Sequence, residues 1–135
     1  MSSSGDRLRQ PPSERFAGVE HRLDFGDSLA SLRQEAHPAK GGHRQIVVYH
    51  SDALRLVLFA FDAGGRLPRH RAPGVVAIQS LRGELRVTTP SGMYELRAGQ
   101  AVVLAPDVQH DVDAVGEADM LLSVAMAGPR GGGAD

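Results

Sequence analysis

Short runs of apolar or alternating residues recur from the middle of the chain to its C-terminal region. Gly, Pro, Asp or Ser residues bound most of these runs, which is typical of short antiparallel strands joined by tight turns. No segment of helical length interrupts the series, so a βαβ architecture is not expected. The pattern predicts an all-β sandwich or barrel. The runs are Gln45–Tyr49, Leu54–Phe61, Val75–Leu81, Glu84–Thr88, Tyr94–Leu96, Ala101–Leu104, Val108–Val112 and Met120–Val124.

One short amphipathic helix is predicted before the strands. Asp27 or Ser28 provides its N-cap, and Leu29 and Leu32 form its apolar face. Pro38 then ends it. Two later turns also need backbone conformations with positive φ, and we expect these at Gly83 and Asp107.

The chain has 135 residues, which is enough for one core but not for two independent ones. Residues 1–18 are rich in Ser, Arg and Pro, and are predicted to form a disordered arm. Residues 128–135 contain three consecutive glycines and are predicted to be a flexible tail. The folded domain is therefore expected over residues 19–127.

The composition narrows the possible partners. The formal net charge is −1, from 15 basic and 16 acidic residues, so neither nucleic acid nor an anionic membrane is an expected partner. The chain has no cysteine, which excludes disulfides and thiolate chemistry. It also has neither an apolar signal segment nor a stretch of about 18 apolar residues, so we expect a cytoplasmic protein.

Two segments carry a recognisable spacing of glycine and histidine. Segment 64–83 contains Gly64, His70 and Gly83, and segment 99–114 contains Gly99 and His110. This spacing resembles the two conserved motifs of the cupin superfamily. The short helix and the His-Arg-Ala-Pro-Gly sequence at 70–74 resemble small single-domain bacterial cupins of unassigned activity. The resemblance implies a cupin double-stranded β-helix, or jelly-roll barrel, with a short N-terminal helix, and a homodimer.

The chain departs from the family at two of the four positions that usually bind a metal ion. Metal-binding cupins use three histidines and a glutamate, but here Ala72 stands at the second histidine and Val76 at the glutamate. His70 and His110 remain as candidate metal ligands, and imidazole suits Fe, Ni or Zn. Two imidazoles alone bind such an ion weakly, because catalytic sites usually have three protein ligands.

A third ligand would have to come from outside the two motifs. His43 and His50 are the available imidazoles, and His50 lies at the end of a predicted strand. Neither is placed inside the barrel by its position in the sequence. The third ligand therefore stays unidentified at this stage.

Strand alternation predicts which side chains face the interior. Replacement of two metal ligands by Ala72 and Val76 would make this interior wide and apolar, as in small-molecule sites. Alternatively, bulky neighbours such as Leu58, Ile78 or Met93 fill the space and leave a packed barrel. The predicted pocket residues are His70, Ala72, Val76, Ile78, Ser80 and His110.

Two functions are consistent with these residues. The first is a protein that binds a small organic ligand in the barrel and retains a degenerate metal site. The second is a metal-dependent enzyme, of the dioxygenase or isomerase type, that uses His70 and His110 with a third ligand. The absence of the motif histidine and glutamate favours the first function and a barrel without a metal cofactor. Whether the protein is an enzyme stays open.

Overall fold

A computed structural model describes residues 19–36 and 40–126. The predicted arm at 1–18 and tail at 128–135 lie outside the described residues. Within those ranges, no helix is long and apolar enough to cross a bilayer. The elements are helix α1 (Phe25–Arg33), a 3-10 turn (Lys40–Gly42), and strands β1 (His43–His50), β2 (Leu54–Phe61), β3 (Arg66–His70), β4 (Val75–Arg82), β5 (Leu85–Thr89), β6 (Gly92–Leu96), β7 (Ala101–Leu104), β8 (His110–Ala114) and β9 (Ala118–Ala125).

The strands form two antiparallel sheets. A five-stranded sheet has the order β1-β2-β9-β4-β7, and a four-stranded sheet has the order β3-β8-β5-β6. Side chains from both sheets form one core, which includes Phe59 and Ile78 from the first sheet and Val87 and Val112 from the second. The prediction of an all-β architecture with a short N-terminal helix is confirmed.

A second, smaller core lies between α1 and the outer face of the five-stranded sheet. Leu29 and Leu32 of the helix pack with Val48, Leu58 and Ala60 of β1 and β2. Strand β2 therefore has both faces covered, which explains why its sequence is almost continuously apolar.

The helix begins earlier than the sequence predicts. Asp24, rather than Asp27 or Ser28, is the N-cap, and its carboxylate accepts a hydrogen bond of 2.9 Å from the backbone N–H of Asp27. Asp27 then lies in the first turn, where its negative charge interacts favourably with the positive end of the helix dipole. The prediction of the helix is confirmed, but the prediction of its N-cap residue is wrong.

Strand β3 was missed by the sequence analysis. Pro68 lies in its middle and lacks the N–H that a strand donates, and the pairing with β8 shifts register between Leu67 and His70. β3 is also an edge strand, where proline is tolerated. Its polar, proline-containing sequence therefore does not show the alternation that identified the other strands.

The two turns with positive φ were predicted correctly. Gly83 has φ 81°, and a Cβ added there would lie 2.4 Å from the carbonyl oxygen of Glu117. Asp107 is the single non-glycine residue with positive φ within the described ranges, at 66°. Its backbone N–H donates a 2.8 Å hydrogen bond to the carbonyl of Ala72, and this bond joins the two motif segments.

A buried carboxylate fixes α1 to the five-stranded sheet. Asp119 of β9 is 7% exposed and accepts hydrogen bonds from Arg33 of the helix at 2.5 Å and from Arg82 of β4 at 2.9 Å. Arg33 also donates to the carbonyl of Ala118. These contacts with Asp119 raise the pKa of Arg82. Asp119 thus joins three elements at one end of the fold.

We expect Asp119→Ala to lower the free energy of unfolding by about 2 kcal/mol, because two arginines lose a charged hydrogen-bond acceptor. Urea unfolding measures the change. Glu95→Ala is the control, since it removes an exposed ion pair with Arg86 at 3.8 Å and should cost less than about 0.5 kcal/mol. Equal effects of the two substitutions would contradict the structural role of Asp119.

Candidate functional site

The two motif histidines lie next to each other. His70 at the end of β3 and His110 at the start of β8 are directly opposite each other in the strand pairing. Their ring centroids are 4.2 Å apart, with an angle of 61° between the ring planes. The expectation that the two motifs bring these imidazoles together agrees with this geometry.

Both rings are oriented in the same way by the backbone. Nδ1 of His70 lies 2.9 Å from the carbonyl oxygen of Pro68, and Nδ1 of His110 lies 3.0 Å from that of Val108. A carbonyl only accepts hydrogen bonds, so each Nδ1 carries the proton and donates. In the neutral imidazole, Nε2 is then an acceptor.

His110 is buried and uncharged at neutral pH. It is 1% exposed, and its Nε2 has no hydrogen-bond partner. Burial lowers the pKa of His110 from its ordinary value of 6.5; the hydrogen bond to Val108 opposes this change, and the neighbouring His70 adds to it. An unpartnered buried acceptor costs roughly 1–3 kcal/mol, so its retention requires an explanation.

A cavity of about 340 Å³ opens beside His70. Its walls are mainly apolar and come from β1, β2, β3, β9 and the segments that follow β3 and β9. Four of the lining side chains are polar or charged: Gln45, Arg55, His70 and Arg71. The other lining residues are Val57, Phe59, Leu67, Ala72, Pro73, Leu122, Val124 and Met126.

The predicted pocket residues divide into two groups. His70 and Ala72 line the cavity, and His110 contacts the ring of His70. Val76 and Ile78 instead pack in the core between the sheets. Ser80 is also fully buried, and its hydroxyl donates a 2.7 Å hydrogen bond to the carbonyl of Gly83. Of the predicted pocket residues, His70 and Ala72 therefore line the cavity directly.

The alternative of a barrel filled by bulky neighbours is correct for Ile78, which packs in the core between the sheets, but it is wrong for Leu58 and Met93. Leu58 points to the outer face and packs under α1, because it alternates with the inward-facing Val57 and Phe59. Met93 is 52% exposed on the edge strand β6. Neither side chain can fill the cavity.

Sequence reasoning missed Gln45, Arg55 and Arg71. The inward position of Arg55 could have been predicted, because Arg55 lies on the same face of its strand as Val57 and Phe59, which face inward. Gln45 is likewise opposite Phe59 in the pairing of β1 with β2. Arg71 follows β3 in a loop, where no periodicity predicts side-chain direction.

The residues present do not fit a resident divalent metal ion. The rings of His70 and His110 could supply two nitrogen ligands, but Ala72 has no donor atom at the position of the second motif histidine. Within residues 19–36 and 40–126, no group of three or more His, Asp or Glu residues is placed to hold a metal ion. Nδ1 of His43 donates a hydrogen bond of 3.0 Å to the carbonyl of Arg66, and His50 is exposed at the end of β1.

Two antiparallel sheets around one core, with the two motif histidines opposite each other on β3 and β8, correspond to a cupin fold. The comparisons with solved structures support this assignment. The chain matches a cupin superfamily protein from Desulfitobacterium hafniense with a TM-score of 0.63 and 18% identity, over 73% of this chain and 86% of that one. It also matches an RmlC-like cupin from Desulfovibrio desulfuricans with a TM-score of 0.61 and 22% identity, over 81% and 97% of the two chains.

A conserved Streptococcus pyogenes protein of unknown function is similar to a comparable degree. Its TM-score is 0.64 at 24% identity, over 84% of this chain and 95% of that one. No protein-family model matches the sequence, and no curated protein matches it. The resemblance to the cupin superfamily is therefore confirmed at the level of the fold.

The buried state of His110 predicts a dependence of stability on pH. Its pKa is lower in the folded protein than in the unfolded chain, so the unfolded chain binds the proton first as the pH falls. The stabilisation is therefore complete above about pH 6.5 and decreases below it, by at most about 1.4 kcal/mol per pH unit. Urea unfolding at pH 7.5 and 5.5, with a chelator present, measures this change.

His110→Gln should reduce the loss of stability between these two pH values. His50→Gln, at an exposed site, is the matched control and should leave it unchanged. Because the test compares differences between two pH values, it holds even if the first variant is less stable throughout. The interpretation fails if wild type and His110→Gln lose the same free energy.

Proposed function

We propose that this protein binds a small organic molecule in the cavity beside His70, without a resident metal ion. The observation that carries the proposal is the cavity itself. Ala72, which stands at the position of the second motif histidine, lines it. Its volume of about 340 Å³ lies within the range of about 300–1,000 Å³ that is usual for small-molecule sites.

The chemistry of the walls supports an organic ligand. Phe59, Leu122 and Val124 offer apolar surface, and burial of ligand carbon against them is favourable by about 25 cal/mol per Å². Gln45 and His70 provide directional hydrogen bonds. Apolar walls with a few convergent polar groups are the usual composition of a binding pocket.

The metal-dependent enzyme is the less supported function. The unpartnered Nε2 of His110 beside His70 is the observation in its favour. Against it, Ala72 and Val76 bring no donor atoms, and the described residues supply no third ligand.

The predicted homodimer and cytoplasmic location stay predictions. Val75 and Val103 are 41% and 66% exposed on the five-stranded sheet, so some apolar surface remains beyond the part covered by α1. This is consistent with association of two copies through that sheet.

Filling the cavity should abolish ligand binding. Ala72→Phe places a large side chain at its wall, whereas Ala105→Phe makes the same change in an exposed loop. We expect phenylacetate to bind wild type and Ala105→Phe, but to bind Ala72→Phe at least about tenfold more weakly. Isothermal titration calorimetry measures the affinities. Equal binding by both variants would place the ligand elsewhere.

Metal analysis separates the two functions. Protein purified without an affinity tag should contain far less than one equivalent of iron, nickel or zinc, because the part of the chain that the structure describes brings no more than two imidazoles together as ligands. His70→Gln combined with His110→Gln is the control and should have the same low metal content. A stoichiometric ion in wild type that is absent from the double variant would instead support the enzyme.

A further inference from the structure

We infer that the ligand of this cavity is a small organic carboxylate, held by Arg55 and Arg71. This inference rests on the proposed function and specifies its ligand class. Both arginines line the cavity, together with apolar side chains and no acidic residue. The cavity therefore carries two positive charges that its own walls do not neutralise.

Arg55 and Arg71 have no acidic partner among the described residues, whereas most of the other described arginines do. Arg33, Arg44, Arg66, Arg82 and Arg86 each lie within 4.0 Å of an Asp or Glu oxygen. Arg55 and Arg71 make no ion pair or side-chain hydrogen bond with any described residue. Their guanidinium donors are thus available to a bound anion, and a carboxylate accepts two of them in parallel.

The strand register explains why Arg55 faces the cavity. It lies on β2 two residues before Val57, whose side chain belongs to the core between the sheets, and opposite Val124 of β9. Because alternate residues of a strand share a face, the Arg55 side chain begins on the inner face, at the open end. Arg55 is the one charged residue of this otherwise apolar strand, and its side chain remains exposed to solvent.

The histidines do not supply the contact with the anion. Nδ1 of His70 already donates to Pro68, so the neutral ring offers an acceptor at Nε2 rather than a donor. His110 is buried and is held uncharged. The positive charge that an anion needs therefore comes from the two arginines.

The cavity volume limits the size of this carboxylate. About 340 Å³ equals the liquid volume of roughly eleven water molecules, so a ligand of about ten non-hydrogen atoms fits. An aryl or short alkyl acid has this size and matches the apolar walls formed by Phe59, Leu122 and Val124. Phenylacetate is a suitable probe, and phenylacetamide is its uncharged counterpart of nearly the same shape.

The test measures both probes, and hexanoate with hexanamide, by calorimetry on the full chain. We expect each acid to bind at least about tenfold more tightly than its amide, since hydrogen bonds to charged groups are stronger than neutral ones. Arg55→Gln and Arg71→Gln should each weaken binding of the acids by about fivefold or more and leave the amides unchanged. Higher salt should weaken only the acids.

Arg69→Gln is the matched control, because Arg69 belongs to the same strand end but does not line this cavity. All three arginines have exposed side chains, so the variants should keep the melting temperature of wild type. Equal affinity for acids and amides, or an equal loss in Arg69→Gln, would overturn the carboxylate inference and leave ligand binding intact. If neither acids nor amides bind, the proposed function itself is contradicted.

Discussion

The burial of both faces of β2 is the constraint on which the rest of the structure depends. Side chains at 57, 59 and 61 pack between the sheets, and those at 58 and 60 pack under α1. A shift of one residue would exchange the two sets, so the register is strongly fixed. Arg55 is carried to the inner face by the same alternation. The position of a charged group at the cavity is therefore a consequence of hydrophobic burial elsewhere in the strand.

Much of the fold could be predicted from the sequence because most strands alternate and end at strong turn residues. Gly83 and Asp107 adopt the positive φ values that their positions predicted. Strand β3 could not be predicted, because Pro68 removes a donor and its charged neighbours hide the alternation. The pairing of His70 with His110 followed from motif spacing, whereas Arg71 lies in a loop whose direction depends on tertiary contacts.

Replacement of metal ligands changes the electrostatics of the barrel as well as its shape. With Ala72 and Val76 at two of the metal-ligand positions, a donor and a negative charge are missing, and the walls of the cavity contain no carboxylate that could balance a cation. Nearby, Arg55 and Arg71 add positive charge without a partner among the described residues. A cavity of this sign disfavours a divalent cation and favours an anion at the same time. Both differences from metal-binding cupins therefore favour the binding of an anion over that of a divalent cation.

The degree of burial of the histidine and of the two arginines determines how a bound carboxylate is oriented in the cavity. His110 is buried and has an unprotonated Nε2, so a carboxylate beside it would lose water and face a second acceptor. Arg55 and Arg71 are exposed, so a carboxylate between them keeps part of its hydration while it gains charged hydrogen bonds. The apolar part of the ligand is then left for Phe59 and Leu122. The polarity of the cavity therefore directs the charged end of the ligand towards solvent.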